Sequence, residues 1–311
     1  MVILINPKSA AGSAQRKWKR IEQSIRRQLP QAEDFVINGK MSPVEFLIKK
    51  IEQGHHEFIA AGGDGTVNWL LQTLMDRLDE GATSELKIGA IGLGSSNDFQ
   101  KPFDRQRMLQ SVPFKIDFNS ADFQDVGVLT FEDANGNRHR RFWINNASVG
   151  ITAEANAYFN SSNRFLNWLK ERATGLAIVY AALRTIFTYK NMPMRLGFAG
   201  DEIKTVNLTN LGVVKNPHFS GSFRYDSPYE KNSGMFYCHL CYDMSLRQTL
   251  QTLWHLARGT FSGLPNTVSF RLNRLTVGAN QPFAVEYDGE TIRTKRAEFG
   301  IIKQAIKVCQ K

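Results

Sequence analysis

The sequence predicts an α/β domain built on a parallel sheet, followed by an antiparallel, β-rich domain. Up to Pro113, short apolar strands alternate with helical segments, the pattern of a parallel sheet covered on both faces. Beyond Pro113, alternating strands and hairpin signals take over, as in a sandwich or barrel. Three polar loops rich in glycine or asparagine each follow the C-terminal end of a strand, the edge where open α/β sheets bind ligands.

Val2 to Ile5 reads as a buried strand ending in the polar loop Asn6-Pro7-Lys8-Ser9-Ala10-Ala11-Gly12. The next helix points Trp18, Ile21, Ile25 and Leu29 inward, with Pro30 just past its end. Phe35 to Ile37 is a short strand, and Ser42-Pro43 an N-cap with proline at the first helical position. That helix carries Phe46, Leu47 and Ile51. Glu57 to Ile59 then leads into Ala60-Ala61-Gly62-Gly63-Asp64-Gly65-Thr66. Val67, Leu70, Leu71, Leu74 and Leu78 recur on one face of the following helix. Three glycines on a strand-to-helix turn allow positive φ and close ligand approach, and the helix start favours an anion. This is a phosphate cradle without GxGxxG or the lysine of GxxxxGK[ST]. Asp64 within it makes sense if a cation or a ribose hydroxyl is also present, and a tight turn without ligand is the plain alternative. Lys87 to Ile91 forms the fourth strand and ends in Gly92-Leu93-Gly94-Ser95-Ser96-Asn97-Asp98.

In the second half, Asp125 to Glu132 and Arg138 to Asn145 form a hairpin around Asp133 to Asn137. One helix is expected from about Leu166 to Phe187, as a core helix, with a lipid-facing role as the alternative. Strands follow at Met194 to Phe198, Ile203 to Thr209, Met235 to Tyr242, Thr267 to Leu272 and Phe283 to Tyr287, with a helix near Leu246 to Ala257. Glu286-Tyr287-Asp288-Gly289-Glu290 reads by spacing as an ordinary Asp-Gly turn.

Composition narrows the classes. The 311 residues carry a net charge of +10, which suits an anionic partner such as a membrane surface or a phosphorylated molecule. No nucleic-acid motif accompanies the basic cluster from Arg16 to Arg27. Three cysteines argue against a disulfide framework and for a reducing compartment. Cys238-His239-Leu240-Cys241 lacks a second ligand pair for zinc. The start reads as a strand, not a signal peptide, and no apolar run is long enough to span a bilayer.

Taken in order, the loops resemble the diacylglycerol kinase catalytic-domain family, in particular bacterial soluble lipid kinases related to sphingosine and ceramide kinases. Asn6-Pro7-Lys8-Ser9 is similar to the family's opening loop, Gly62 to Asn68 to its nucleotide loop, and Gly94-Ser95-Ser96-Asn97-Asp98-Phe99 to its Gly-Thr-x-Asn-Asp-Phe segment. Phe142 to Gly150 and Asp288-Gly289-Glu290 also have counterparts there, which moves the Asp288 turn from bland to functional. The resemblance implies a phosphofructokinase- or NAD-kinase-like domain over residues 1–118. It implies a β-sandwich acceptor domain over 119–298, and a tail from about 299 packing back on the first domain. It further implies ATP and a lipid meeting in a cleft between the domains, at the inner face of the membrane, with homodimers a possibility.

Within that reading, backbone amides around Gly62, Gly63, Asp64, Gly65 and Thr66, with the Thr66 hydroxyl, hold the ATP phosphates. Asn6, Ser95, Asn97 and Asp98 complete the nucleotide site, and Asp64 is a partner for Mg²⁺. Asp288 accepts the proton of the lipid hydroxyl and Glu290 supports it. Departures from the family include Ala10-Ala11-Gly12 in the first loop, Trp69 after Asn68, Ile37-Asn38 where a threonine is usual, and Asn232-Ser233-Gly234 where an acidic turn can hold a structural Mg²⁺. A soluble NAD-kinase-like enzyme and a non-catalytic nucleotide- or lipid-binding regulator are the alternatives.

Overall fold

A computed structural model describes residues 1–39, 41–77, 85–198 and 203–310. The chain divides into two compact units, Met1–Val126 with Lys303–Lys311, and Gly127–Ile302.

The first unit contains β1 (Val2–Ile5), α1 (Ser13–Gln28), β2 (Glu33–Val36), α2 (Pro43–Glu52), β3 (Glu57–Gly62), α3 (Asp64–Arg77), β4 (Lys87–Gly92), β5 (Met108–Leu109) and β6 (Val112–Lys115). Strands β2, β1, β3 and β4 pair in that order, all parallel. The other edge of β4 is shared. Lys307 and Val308 pair with Lys87 and Ile88 in parallel, while β6 pairs antiparallel with Ala90 and Ile91. β1 is buried throughout, and β3 and β4 nearly so, because helices cover both faces of a parallel sheet.

The helices follow their sequence patterns. On α1, Ala14, Trp18, Ile21 and Ile25 are buried at helical spacing. Ser42 caps α2 by accepting from the Glu45 amide at 3.3 Å, and Pro43 sits at its first position. On α3, Val67, Leu70, Leu71 and Leu74 are buried. Leu78 lies outside the described residues.

The second unit contains most of β7 (Asp122–Glu132), then β8 (Arg138–Trp143), β9 (Asn146–Gly150), α4 (Ile151–Asn160), α5 (Arg164–Thr188), β10 (Met192–Gly197), β11 (Ile203–Val214), β12 (His218–Phe219), β13 (Phe223–Arg224), β14 (Phe236–Tyr242), α6 (Leu246–Arg258), β15 (Thr267–Leu272), β16 (Leu275–Tyr287) and the first part of β17 (Glu290–Val308). The strands run antiparallel in the order β15-β14-β11-β10-β16-β17. Where two sheets of a sandwich are expected, these strands form one hydrogen-bonded sheet. Its continuity comes from β9 and β10, each of which pairs with both β11 and β16 at different registers. Trp143, Leu211, Phe236, Val285 and Phe299 are at the centre of the unit's apolar core.

Two helical expectations change. The stretch read as one helix, Leu166 to Phe187, lies within α5 but is broken at Ala173, whose φ of −155° and ψ of 78° are non-helical. Before α5 lies a helix that was not expected, α4. Its Ala-rich sequence buries only Ala153 and so has little periodic signal. Helix α5 is not a core helix of the expected kind. Its buried positions include the small residues Ala177, Ala181 and Thr185, while Leu176, Val179, Leu183 and Phe187 are exposed. No helix among the described residues is long and apolar enough to cross a membrane.

Candidate active site

In the first unit, the strand register brings three loops together. Ala61 of β3 accepts from the Asn6 amide at 2.9 Å, which places the loop after β1 beside the loop after β3. Gly62 pairs with Gly92, and the Gly62 carbonyl accepts from the Leu93 and Gly94 amides at 2.7 and 3.2 Å. The loop after β4 thus joins them.

The glycines serve packing here. None of Gly62, Gly63 and Gly65 has positive φ, contrary to the expectation from their clustering. A Cβ on Gly62 would lie 2.2 Å from Thr66 Oγ1, and one on Gly94 would lie 2.5 Å from the Gly63 Cα. The two loops therefore meet backbone to backbone. Gly65 differs, because a Cβ there would meet nothing within 4 Å. Its side of the loop borders open space at the start of α3, where the helix dipole is positive, while the Thr66 and Val67 amides already donate to the Gly63 carbonyl at 2.9 and 3.2 Å.

Each predicted side chain in this unit now has a position. Thr66 is buried and its hydroxyl meets Asn6 Nδ2 at 3.1 Å and Ser9 Oγ at 3.3 Å, so it ties the first loop to the glycine loop. Asp64 opens α3 and accepts from the Phe99 amide at 2.9 Å, a strut between the glycine loop and the third loop. Asn97 adopts the left-handed conformation and donates to the Gly92 and Gly94 carbonyls at 3.1 and 3.3 Å. Asp98 is buried in an ion pair with Lys101 at 2.7 Å. Asn97 and Asp98 thus shape the loop from inside, while Ser95 at its tip is exposed. Asn97 Oδ1 and both ends of the Gln100 amide are buried without a hydrogen-bond partner among the described residues.

Lys17 was not predicted. It reaches from α1 to donate to the Leu93 and Gly94 carbonyls at 3.1 and 2.6 Å. Burial, and then the neighbouring Arg20, lower its pKa. In the sequence it is one of six cations on a basic helix, so nothing marks it out from the others.

In the second unit, Asp288 and Gly289 are the two-residue loop of a hairpin, since Tyr287 pairs with Glu290. Both residues have positive φ, +46° and +94°, the geometry of a type I′ turn. The Asp288 carboxylate is buried and accepts from the amides of Ile144, Asn145 and Asn146 at 2.8, 2.9 and 3.1 Å. Three of about four acceptor positions on the carboxylate are thereby used, which fixes its orientation. The structure thus joins the Phe142 to Gly150 segment to the Asp288 turn, two landmarks well separated in sequence.

Glu286 was also missed. Its buried carboxylate accepts from Ser148 Oγ and the Gly289 amide, both at 2.7 Å, and so braces the turn. Buried Asn145 and Asn216 extend this polar network towards His218, whose ring contacts Asn216 Oδ1 at 3.1 Å. Glu290 is exposed at the start of β17. The residues considered for metals lie apart from this network. Asp226 binds Ser262, and Ser233 caps its own turn at Met235. Cys238 belongs to the main core, while Cys241 packs in a second cluster. Among the described residues no three His, Cys, Asp or Glu side chains gather as a metal site.

The family model described as the diacylglycerol kinase catalytic domain matches residues 1–116. No curated protein matches the chain in sequence. The fold is similar to that of a diacylglycerol kinase from Bacillus anthracis str. Sterne, with a TM-score of 0.68 at 12% identity, covering 100% of this chain and 96% of that one. It is also similar to yeast NADH kinase solved with NADH, with a TM-score of 0.52 at 10% identity, covering 99% of this chain and 81% of that one. Over residues 1–116, the chain is thus similar to the diacylglycerol kinase catalytic domain.

Proposed function

We propose that the protein is an ATP-dependent lipid kinase that phosphorylates a primary hydroxyl, with diacylglycerol as acceptor and phosphatidic acid as product. The observation that carries this reading is the family match over residues 1–116, a range that contains the loops meeting at the open start of α3. The residues there suit a triphosphate. The positive start of α3 and the open face at Gly65 can receive phosphate oxygens, and the orphaned Asn97 and Gln100 amide atoms lie beside the same loops. Asp64 would be a protein partner for Mg²⁺, which phosphate oxygens would otherwise hold. The metal would neutralise charge developing on the phosphates.

The chain's own residues would do the rest by positioning. Lys17 and Asn97 fix the third loop by donating to its carbonyls. Asp288, fixed by three amides, would orient the acceptor hydroxyl and take its proton as the oxygen bonds to the γ-phosphorus and the bond to the β-phosphate oxygen breaks, releasing ADP. Exposed Glu290 would add negative charge beside it. Phosphoryl transfer needs mostly orientation and charge neutralisation, so this set is sufficient.

The similarity to NADH kinase favours a second reading, with a soluble dinucleotide as acceptor. One experiment separates the two. The protein is incubated with radiolabelled ATP and Mg²⁺, with diacylglycerol vesicles or with NAD. Label in phosphatidic acid is the expected result, and label in the dinucleotide alone overturns the lipid-kinase reading. Label in neither, with ATP still bound, points to a regulator.

A further inference from the structure

Helix α5 is fixed to its unit by small side chains. Ala177, Ala181 and Thr185 are buried, four residues apart along one face. Leu166 is buried too, but most of the large apolar side chains lie elsewhere. Leu176, Val179, Leu183 and Phe187 are 62%, 53%, 46% and 65% exposed. Their offsets of 0, 3, 7 and 11 put all four on one side of the helix. A contiguous apolar stripe of this length marks an interaction surface, because single exposed apolar residues are common and runs of them are not.

Charge identifies what covers the stripe. The α5 sequence contains Arg164, Lys170, Arg172 and Arg184 against a single glutamate. Helix α6, which packs beside it, contains two arginines and no Asp or Glu. Guanidinium groups lie along exposed aromatic rings on both helices. Arg172 is 4.4 Å from the Trp168 ring centroid and Arg258 is 3.5 Å from that of Trp254. An apolar stripe, a basic border and half-exposed tryptophans are together the composition of a helix lying in a membrane interface. Yet α5 is not apolar enough to span a bilayer. The chain's +10 charge adds long-range attraction to an anionic surface.

We infer that the part of α5 beyond its break at Ala173 lies in the plane of an anionic bilayer, with Leu176, Val179, Leu183 and Phe187 at the acyl boundary and the neighbouring arginines and lysine among the lipid headgroups. This rests on exposure and charge, and is independent of which hydroxyl the enzyme phosphorylates.

The test is co-sedimentation of the full chain with vesicles of phosphatidylcholine alone, or of phosphatidylcholine mixed equally with phosphatidylglycerol. Binding is expected with the mixed vesicles only, and should weaken as salt is raised. Tryptophan emission should shift to the blue on binding. The double variant Leu183→Asp/Phe187→Asp, with an unchanged melting temperature, should reduce binding by at least about tenfold, since it places charge where apolar burial is needed. Ile203→Asp introduces the same kind of charge on exposed β11 and should leave binding unchanged. Equal binding to both vesicle types overturns the anionic partner, and wild-type binding by the double variant overturns the α5 face. If the wild type sediments as a dimer without lipid and the double variant as a monomer, the stripe is instead an interface between copies. Failure of lipid phosphorylation with vesicle binding retained would leave this inference standing and remove only the kinase reading.

Discussion

Asp288, the residue proposed to take the acceptor's proton, also holds structure. Asp288→Asn would turn one carboxylate oxygen into an NH₂ group facing backbone N–H donors. We expect turnover to fall by at least about 10²-fold if the carboxylate accepts the proton. Stability should fall by about 1–3 kcal/mol, the cost of a buried donor left without an acceptor. Denaturant titration alongside kinetics separates the two effects, and normal turnover in a folded variant removes the base assignment. His239 carries a separate prediction. Its ring stacks on Tyr225 at 3.9 Å and contacts Ser269 and Ser227, and burial pushes its pKa down to about 4 despite the opposing pull of Asp226. Unfolded histidine titrates near 6.5, so between these values the unfolded chain binds a proton that the native chain refuses. Its contribution to stability is therefore complete above about pH 6.5 and declines as pH falls towards 4, by about 3 kcal/mol in all. Urea titrations of wild type and His239→Gln at pH 7 and 4.5 should show a smaller acid loss in the variant.

At the scale of elements, two glycines of the loop cluster should behave in opposite ways. Gly94→Ala drives a Cβ into the Gly63 backbone, which neither loop can relieve by a rotamer change. We expect a loss of about 1–3 kcal/mol in thermal or denaturant unfolding. Gly65→Ala enters open space in the first turn of α3, where alanine favours the helix by up to about 1 kcal/mol. Stability should hold or rise while affinity for an ATP analogue falls, because the methyl group occupies the face assigned to phosphate. Unchanged affinity would place the phosphates elsewhere. Helix α5 illustrates the limit of periodicity at this scale. Its sequence shows where the large apolar residues recur, yet the side that meets the core was chosen by small residues that fit against the sheet.

At the scale of the whole molecule, the chain end closes the first unit. Ile306 and Val308 are buried, and residues 307 and 308 add a parallel partner to β4. Ile306→Ala should cost about 2–5 kcal/mol. Hydrogen exchange should then quicken in β3 and β4, the strands of that unit's core, while β14 in the other unit stays protected. Equal quickening in both strands would mean that the units unfold as one.

Much of this organisation is written locally. The β1 to β4 strands, α1 to α3 and the Asp-Gly hairpin follow from apolar period, caps and turn residues, all set by neighbours a few positions away. The glycine loop could be singled out for the same reason, whereas the Asp288 turn reads by spacing as an ordinary turn and stands out only through the family resemblance. Tertiary structure alone decided the rest. It turned Thr66 towards Asn6 and Ser9, gave Lys17 to the Gly94 loop, seated Asp288 on the Ile144 to Asn146 amides with Glu286 behind it, and left the large face of α5 exposed. The physical reason is common to all four. Which hydrogen bond a polar side chain makes, and which helix face is buried, depends on groups brought close by strand pairing across tens to hundreds of residues, and local spacing carries no record of them.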